Sequence, residues 1–393
     1  MSSPPRQRDN FSVLHTIASL DAEASGPSYS VPRLAQSLVA HGHISKIATL
    51  GRPCIEDIRG VQITRYQSDN AVPKTLSRLG RSRAMQAALC RSDADVFHTH
   101  GLWMMPNVYP AQASRQLGRP LVLSPRGMLA EDALKFSAYA KKVFWHIWQS
   151  RAVDSVGCFH ATASSEYEDI RALGLLQPVA IIPNGVDLPV INNLETSKRE
   201  HSEPFVLSLG RIHPIKRIDR LISAFASVTS EHPEWKLRII GPDSDGHGKA
   251  LQQQIVQAGL SDRISIEAPL FGEDKIQVMK QAAVFALSTQ NENFAMTVAE
   301  SLAVGTPVIS TKGAPWAGLT EQRCGWWVDH GPEPMAAALR EVMEMPFEAR
   351  CKLGARGRDW MARDFAWEGI GQKMTMVYAW LLGRGPRPDC VHL

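Results

Sequence analysis

No apolar run in this 393-residue chain approaches the roughly 18 residues that a membrane-spanning helix needs. The opening MSSPPRQRDN is polar and lacks an apolar core, so no signal peptide is expected. CxxC pairs are absent too. The six cysteines (Cys54, Cys90, Cys158, Cys324, Cys351, Cys390) are scattered, which excludes a zinc or disulfide framework and fits a reducing cytoplasm. There is no internal repeat of 20–50 residues, no long low-complexity tract and no nucleic-acid-binding motif. What remains is an ordinary globular composition, 44% hydrophobic and 21% charged, in a chain long enough for two domains.

The net charge of +4 is unevenly spread. Residues 1–190 carry 20 Lys/Arg against 15 Asp/Glu, and residues 191–393 carry 23 against 24. Residues 74–91, KTLSRLGRSRAMQAALCR, hold five basic residues and no acid. Such a stretch is either a solvated helix face or a surface for an anionic lipid or acceptor. The segment AKKVFWHIWQSR, residues 140–151, mixes aromatic and basic residues as interfacial helices do, and as a core-packed helix with basic ends also does.

Short apolar runs alternate with longer helical patterns. FSVLHTIASL, DVFHTHGLW, LVLSPRGML, CFHATAS and VAIIPNG each read as a strand ending in polar or glycine residues. FVLSLGRIHP, WKLRIIGPD, RISIEAPL, AVFALSTQ and TPVISTKGAPW repeat the pattern. Strands alternating with helices imply parallel α/β sheets, whose ligands collect at the carboxyl ends of the strands. The polar, proline-interrupted residues 185–204 separate the two series and read as a linker. The expected architecture is therefore two Rossmann-like domains, 1–185 and 186–369, with a cleft between them. The tail FAWEGIGQKMTMVYAWLLG reads as an amphipathic helix, placed at about 370–393; its periodicity alone does not say where it packs, with the domain boundary and the first domain both open to it.

Two features of the second half point to a diphosphate ligand. LGRIHPIKRIDRLISAF begins as a strand, turns at Gly210 and sets Arg211 and Lys216 before a helix. Arginine supplies forked hydrogen bonds and lysine a point charge. ENFAMTVAE then spaces Glu292 and Glu300 eight positions apart, about 12 Å along a helix. That is too far for one reacting atom and suits the two ends of a long polar ligand. Asn293, Phe294, Ala295, Met296 and Thr297 fall where the helix begins, so their backbone amides can meet phosphate. Glu292 can accept from sugar hydroxyls and Glu300 from ribose hydroxyls.

These stretches, with IIGPDSDG, SGPSYSVPRLAQSL, HTHGLWMMPN, LSPRGMLAEDAL, ATASSEYEDIRALG and IPNGVDLP, resemble the retaining glycosyltransferases of family 4 (group 1) along nearly the whole chain. The likeness is greatest to the bacterial enzymes of exopolysaccharide and lipopolysaccharide synthesis. It implies a GT-B fold and transfer of a sugar from a nucleoside diphosphate, UDP- or GDP-linked, to a growing lipid-linked surface glycan. It implies no further cofactor, no metal and no nucleic acid. It also implies a cytoplasmic protein, peripheral on the inner face of the plasma membrane. By the same resemblance Arg211 and Lys216 hold the diphosphate, Glu292 contacts the donor sugar and Glu300 binds ribose. Gly241 and Pro242, with Pro269 and Leu270, border the base, and Gly26 lies between phosphates and acceptor. The donor phosphate itself helps deprotonate the acceptor, so no dedicated protein base is required.

Three positions depart from the family pattern. Ser25 replaces the first glycine of a pair. Ala295 stands where the usual E-G-F-G has its second glycine, and alanine lacks glycine's freedom at positive φ. Arg126 stands where many members have histidine, leaving His100 as the titratable candidate on the acceptor side. The D-x-D pairs Asp93/Asp95 and Asp243/Asp245 match a metal-dependent motif of another fold, but they lie in turn-like segments and occur often by chance. Other readings are a sugar epimerase or phosphorylase on the same fold, or a silent nucleotide-sugar binder.

Overall fold

The computed structural model describes residues 10–21, 26–69, 78–190, 203–243 and 246–393. Ser25, Lys74, Asp245 and most of the expected linker lie outside them. The chain divides into two compact units, one of residues 1–185 with 367–393, the other of residues 186–366.

The first unit is built on a nine-stranded sheet. Its strands are β1 (Ser12–Ile17), β2 (Ile44–Leu50), β3 (Cys54–Ile58), β4 (Val61–Tyr66), β5 (Val96–His100), β6 (Leu121–Ser124), β7 (Cys158–Ala161), β8 (Val179–Ile181) and β15 (Val391–His392). Their order is β15-β8-β7-β6-β5-β1-β2-β4-β3, parallel except for β3 and β15 at the two edges. Alternation sends Leu14, Phe97, Leu123 and Phe159 to one core, and Val13, Val96, Val122, Cys158 and Ala180 to another. The second core is closed by the helices Gly26–Ala40 and Trp367–Leu381 through Leu34, Leu38, Ile370, Met374, Val377 and Tyr378. The last helix is shorter than the sequence pattern implies. It ends at Leu381, ahead of Gly383, Pro386 and Pro388, and the tail returns as β15.

Strands β2, β3, β4 and β15 are not among the strand-like stretches picked out above. β3 and β4 form an edge hairpin through Arg59 and Gly60, both at positive φ (55° and 81°). Residues of β3 are largely exposed, so no apolar run marks it.

The second unit carries six parallel strands in the order β11-β10-β9-β12-β13-β14. They are β9 (Phe205–Leu209), β10 (Lys236–Ile240), β11 (Ile264–Glu267), β12 (Val284–Leu287), β13 (Val308–Thr311) and β14 (Gly325–Val328). Val206, Leu237, Ile239, Val284 and Ala286 pack against the helices Ile218–Val228 and Pro332–Glu344. Phe205, Leu207, Ile240, Phe285 and Leu287 face the helices Met296–Ala303 and Phe347–Asp364. The chain runs outward from β9 to β11, then returns to place β12 on the other side of β9. That reversal is a topological switch point, where the carboxyl ends of adjacent strands splay apart.

Candidate active site

At the switch point Gly210 follows β9 and Gly241 follows β10. A side chain on Gly241 would put its Cβ 1.8 Å from the Gly210 carbonyl oxygen, so glycine alone allows the two turns to touch. The loop after β9 carries Arg211, exposed, and then Ile212, buried as an anchor. His213 caps the short 3-10 turn Pro214–Lys216 by accepting from the Ile215 amide at 3.2 Å.

That turn is tied to the loop after β12. The Gln290 amide donates to the Ile215 carbonyl at 2.7 Å, and the Ser288 hydroxyl donates to the Lys216 carbonyl at 2.9 Å. The Glu292 amide donates to the Gly313 carbonyl at 2.7 Å. Through these bonds the Lys216 ammonium meets the Glu292 carboxylate in an ion pair, both side chains 17% exposed. The structure thus brings together Lys216 and Glu292, 76 residues apart in sequence. Arg211 takes no ion pair among the described residues.

Beyond Glu292 the chain enters the helix Met296–Ala303 through Ala295, which adopts φ 63° and ψ 71°. The alanine therefore takes a left-handed conformation, which glycine adopts more readily. Its neighbours hold it there: Phe294 is buried among Trp316 and Phe365, and the Trp316 indole donates to the Phe294 carbonyl at 2.5 Å. The helix start leaves the Met296 and Thr297 amides without carbonyl partners inside the helix. Asn293 sits half-buried just before this entry.

Glu300 lies on the next turn of that helix. Lys275, from the helix Gly272–Gln281, places its ammonium 2.7 Å from Glu300 Oε1 and 2.7 Å from Oε2. Burial pushes the Glu300 carboxyl up from its ordinary range, Lys275 pulls it down, and Asp187 adds a smaller upward push. Pro242 follows Gly241 at the end of β10, and Pro269 and Leu270 occupy the link from β11 to Lys275's helix. Sequence reasoning missed Lys275. Its only signal is a basic residue in a first helical turn, where the helix dipole favours acids.

In the first unit the carboxyl ends of the central strands carry a buried polar chain. His160 Nε2 lies 2.9 Å from the Ile182 carbonyl, which can only accept, so that nitrogen bears the proton. His160 Nδ1 then accepts from the Ser124 hydroxyl at 2.8 Å. Ser124 accepts in turn from His98 Nε2–H at 2.8 Å, and the Tyr378 hydroxyl donates to His98 Nδ1 at 2.6 Å. A second branch starts at Arg126, a donor only, which gives one bond to Asn184 Oδ1 at 2.7 Å and one to His100 Nδ1 at 3.1 Å. His100 Nε2–H therefore donates to His15 Nδ1 at 3.0 Å. His15 Nε2 is buried with no hydrogen-bond partner among the described residues.

All four imidazoles are held neutral. Burial, first of all, drives His15 and His160 down to about 3, with Arg126 adding to it. His98 and His100 fall well below the ordinary histidine value for the same leading cause. Burial lowers Arg126 to about 10, which leaves it charged at neutral pH. Glu166, buried and not foreseen from sequence, accepts from the Gly127 and Thr162 amides at 2.7 Å each and so braces the turn at Arg126, whose φ is 59°. Gly26 opens the helix Gly26–Ala40. His15, His98 and His100 bring ring nitrogens within 4.8 Å of one another, close enough for a shared cation. The adjacent guanidinium and the two hydroxyl bonds that occupy His98 favour a proton-only network instead.

The D-x-D carboxylates among the described residues have structural partners. Asp93 pairs with Lys46 at 3.1 Å, Asp95 accepts from the Ser12 amide at 2.8 Å, and Asp243 accepts from the Gly248 amide at 3.1 Å.

Residues 191–360 match the family model of glycosyl transferases group 1, and residues 25–185 match that of a glycosyl transferase 4-like domain. A D-inositol 3-phosphate glycosyltransferase of Nocardioides sp. is 28% identical over 95% of this chain and 90% of its own length. Sucrose-phosphate synthase of Thermosynechococcus elongatus shares the fold at a TM-score of 0.74 and 19% identity, over 95% of this chain and 99% of that one. Anabaena HepE, solved with UDP and glucose, does so at 0.73 and 18%, over 94% and 100%. The two parallel α/β units are those of a GT-B glycosyltransferase. More particularly, the chain is a glycosyltransferase whose second unit matches the group 1 family and whose first unit matches the glycosyl transferase 4-like domain.

Proposed function

We propose that the protein is a retaining, metal-independent glycosyltransferase that moves a sugar from a UDP- or GDP-linked donor to a growing, lipid-linked bacterial surface glycan. The observation that carries the reading is the pairing of Lys216 with Glu292 at the switch point, with Glu300 on the helix Met296–Ala303 that follows Glu292. A ligand with a sugar at one end, a diphosphate in the middle and a ribose beyond it meets a carboxylate, a cation and a second carboxylate in that order.

In this reading the donor diphosphate takes hydrogen bonds from Lys216, Arg211 and the amides of Met296 and Thr297. Negative charge builds on the diphosphate as the glycosidic bond breaks, and preorganised donors stabilise charge where it develops. Gly210, Gly241 and Pro242 let the backbone approach the nucleotide, and Pro269 and Leu270 border the base. Glu292 accepts from sugar hydroxyls and returns Lys216 to the phosphates as the donor enters. The acceptor hydroxyl loses its proton to the departing phosphate, on the face from which that phosphate leaves, so configuration is retained. Gly26, His100 and Arg126 belong to the acceptor side. His100 is a poor base there, because its Nδ1 already accepts from Arg126 and burial keeps the ring neutral.

A peripheral place at the inner face of the plasma membrane is supported by one surface of the first unit. Phe136, Tyr139, Val143 and Ile147 are exposed along residues 136–147, with Lys142 and Arg151 exposed nearby. Phe144, Trp145 and Trp148, the aromatic residues conspicuous in the sequence, pack into the core instead.

A second acceptor reading is a small phosphorylated polyol, favoured by the name of the Nocardioides relative. The test is transfer from an α-linked donor in the presence of EDTA, with membrane lipid extract and inositol phosphate as rival acceptors. An α-linked product formed without metal agrees with the proposal, and the acceptor that is consumed selects between the two readings. A β-linked product, or activity restored only by manganese or magnesium, refutes the mechanism.

A further inference from the structure

Lys275 is the fourth residue of the helix Gly272–Gln281, directly after Glu273 and Asp274. A cation there opposes the helix dipole. Its ammonium lies instead against a carboxylate of another helix, 2.7 Å from both oxygens of Glu300. The aligned hydrogen bond goes to Oε1, and Oε2 is buried with no hydrogen bond of its own. The lysine thus holds the carboxylate through both oxygens, and each oxygen keeps a lone pair beyond that contact for an incoming donor. A vicinal diol of ribose supplies such donors.

We propose that Lys275 is a positioning residue for nucleotide recognition: it fixes the Glu300 carboxylate, in its ionised form, so that it can accept from the ribose hydroxyls of a nucleoside diphosphate. This inference rests on the reading of Glu300 as the ribose carboxylate. Burial favours the protonated acid, which would lose acceptor capacity, and Lys275 is the group that opposes this. The other groups facing Glu300 do not replace it. Asp187 is itself an acid. Arg358, on the packed helix Phe347–Asp364, is bonded to the carbonyls of Ala303 and Pro189. The helix Met296–Ala303 carries no other titratable side chain.

The test is calorimetric titration of UDP, with GDP and ADP run in parallel, into the full chain between pH 5.5 and 8. Lys275→Met should bind the preferred diphosphate at least tenfold more weakly at pH 7. Its affinity should fall off at a higher pH than wild type as pH drops, because a raised Glu300 pKa protonates the acid sooner. Lys275→Arg should restore affinity to within about threefold at the same pH, since an arginine can hold the carboxylate too. Glu300→Gln should be weak at every pH, and adding Lys275→Met to it should cost little more, because the lysine acts through the carboxylate. Lys275→Gln serves if the methionine variant does not fold. Wild-type or tighter binding by the lysine variants, beside a weak Glu300→Gln, overturns the role of Lys275 alone. So does a loss with an unchanged pH profile, which marks a structural lysine. Normal binding by Glu300→Gln overturns the ribose reading on which the inference stands.

Discussion

At the scale of single residues, what could be read from sequence and what could not divide by distance along the chain. Glu292 and Glu300 announce themselves because one loop-to-helix stretch of nine residues holds both, and Arg211 and Lys216 because they follow one strand. Lys275, Glu166, Asn184 and Tyr378 do not, because each reaches its partner from a remote segment and only the folded chain supplies the neighbour. Ala295 is an instructive departure. The family pattern asks for glycine, and the alanine takes positive φ regardless, held by the packing of Phe294 and Trp316. A methyl group tolerates that region poorly and a β-branched side chain far worse. Ala295→Val should therefore destabilise the second unit by about 1–3 kcal/mol, read as a lower urea midpoint. An unchanged midpoint would mean the entry to the helix is free to change conformation.

At the scale of elements, strand ends were legible and edges were not. In HTHG and CFHATAS the polar residues that close each apolar run are the ones that meet at the carboxyl edge of the first sheet. Alternation sets His15, His98, Ser124 and His160 on one face, below Tyr378 of the helix Trp367–Leu381. Strands β3 and β15, at the edges, carry no apolar run to mark them; β2, β4 and β14 were missed as well, although β2 and β4 lie inside the sheet. The buried imidazole chain makes acid stability a property of this sheet. Unfolded histidine takes up a proton near 6.5, whereas folded His15 and His160 do so at about 3. Between these values the unfolded state binds more protons, so stability falls as pH falls. Each such histidine contributes up to about 1.4 kcal/mol per pH unit in that window. Calorimetric melting of the full chain should give a first-unit transition that is flat above pH 7 and falls steadily from about 6.5 to 5, ahead of most carboxylate titration. A transition temperature independent of pH over that range would mean the rings are not held neutral.

At the scale of the whole molecule, the alternating pattern was enough to point to parallel α/β sheets, and the fold bears this out. Among the described residues no helix is long and apolar enough to cross a membrane. The excess of basic residues in the first half and the exposed Phe136, Tyr139, Val143 and Ile147 predict binding to anionic vesicles, weakened by salt as screened charge requires. Replacing Phe136 and Tyr139 by serine should reduce sedimentation with phosphatidylglycerol vesicles at least several-fold while leaving UDP binding intact. Equal binding to neutral and anionic vesicles would make the charge irrelevant.

The division of one ligand between two carboxylates is the centre of the account, and titration of Glu292→Gln with UDP and with an intact UDP-sugar tests it most directly, GDP forms replacing them if the protein prefers guanine. Free diphosphate has no sugar for Glu292 to contact, and the variant leaves Lys216 wholly to phosphate. The account predicts that Glu292→Gln binds the diphosphate as well as wild type or better, yet loses the advantage that wild type gains from the attached sugar. A fall in diphosphate affinity as large as that of Glu300→Gln would contradict it.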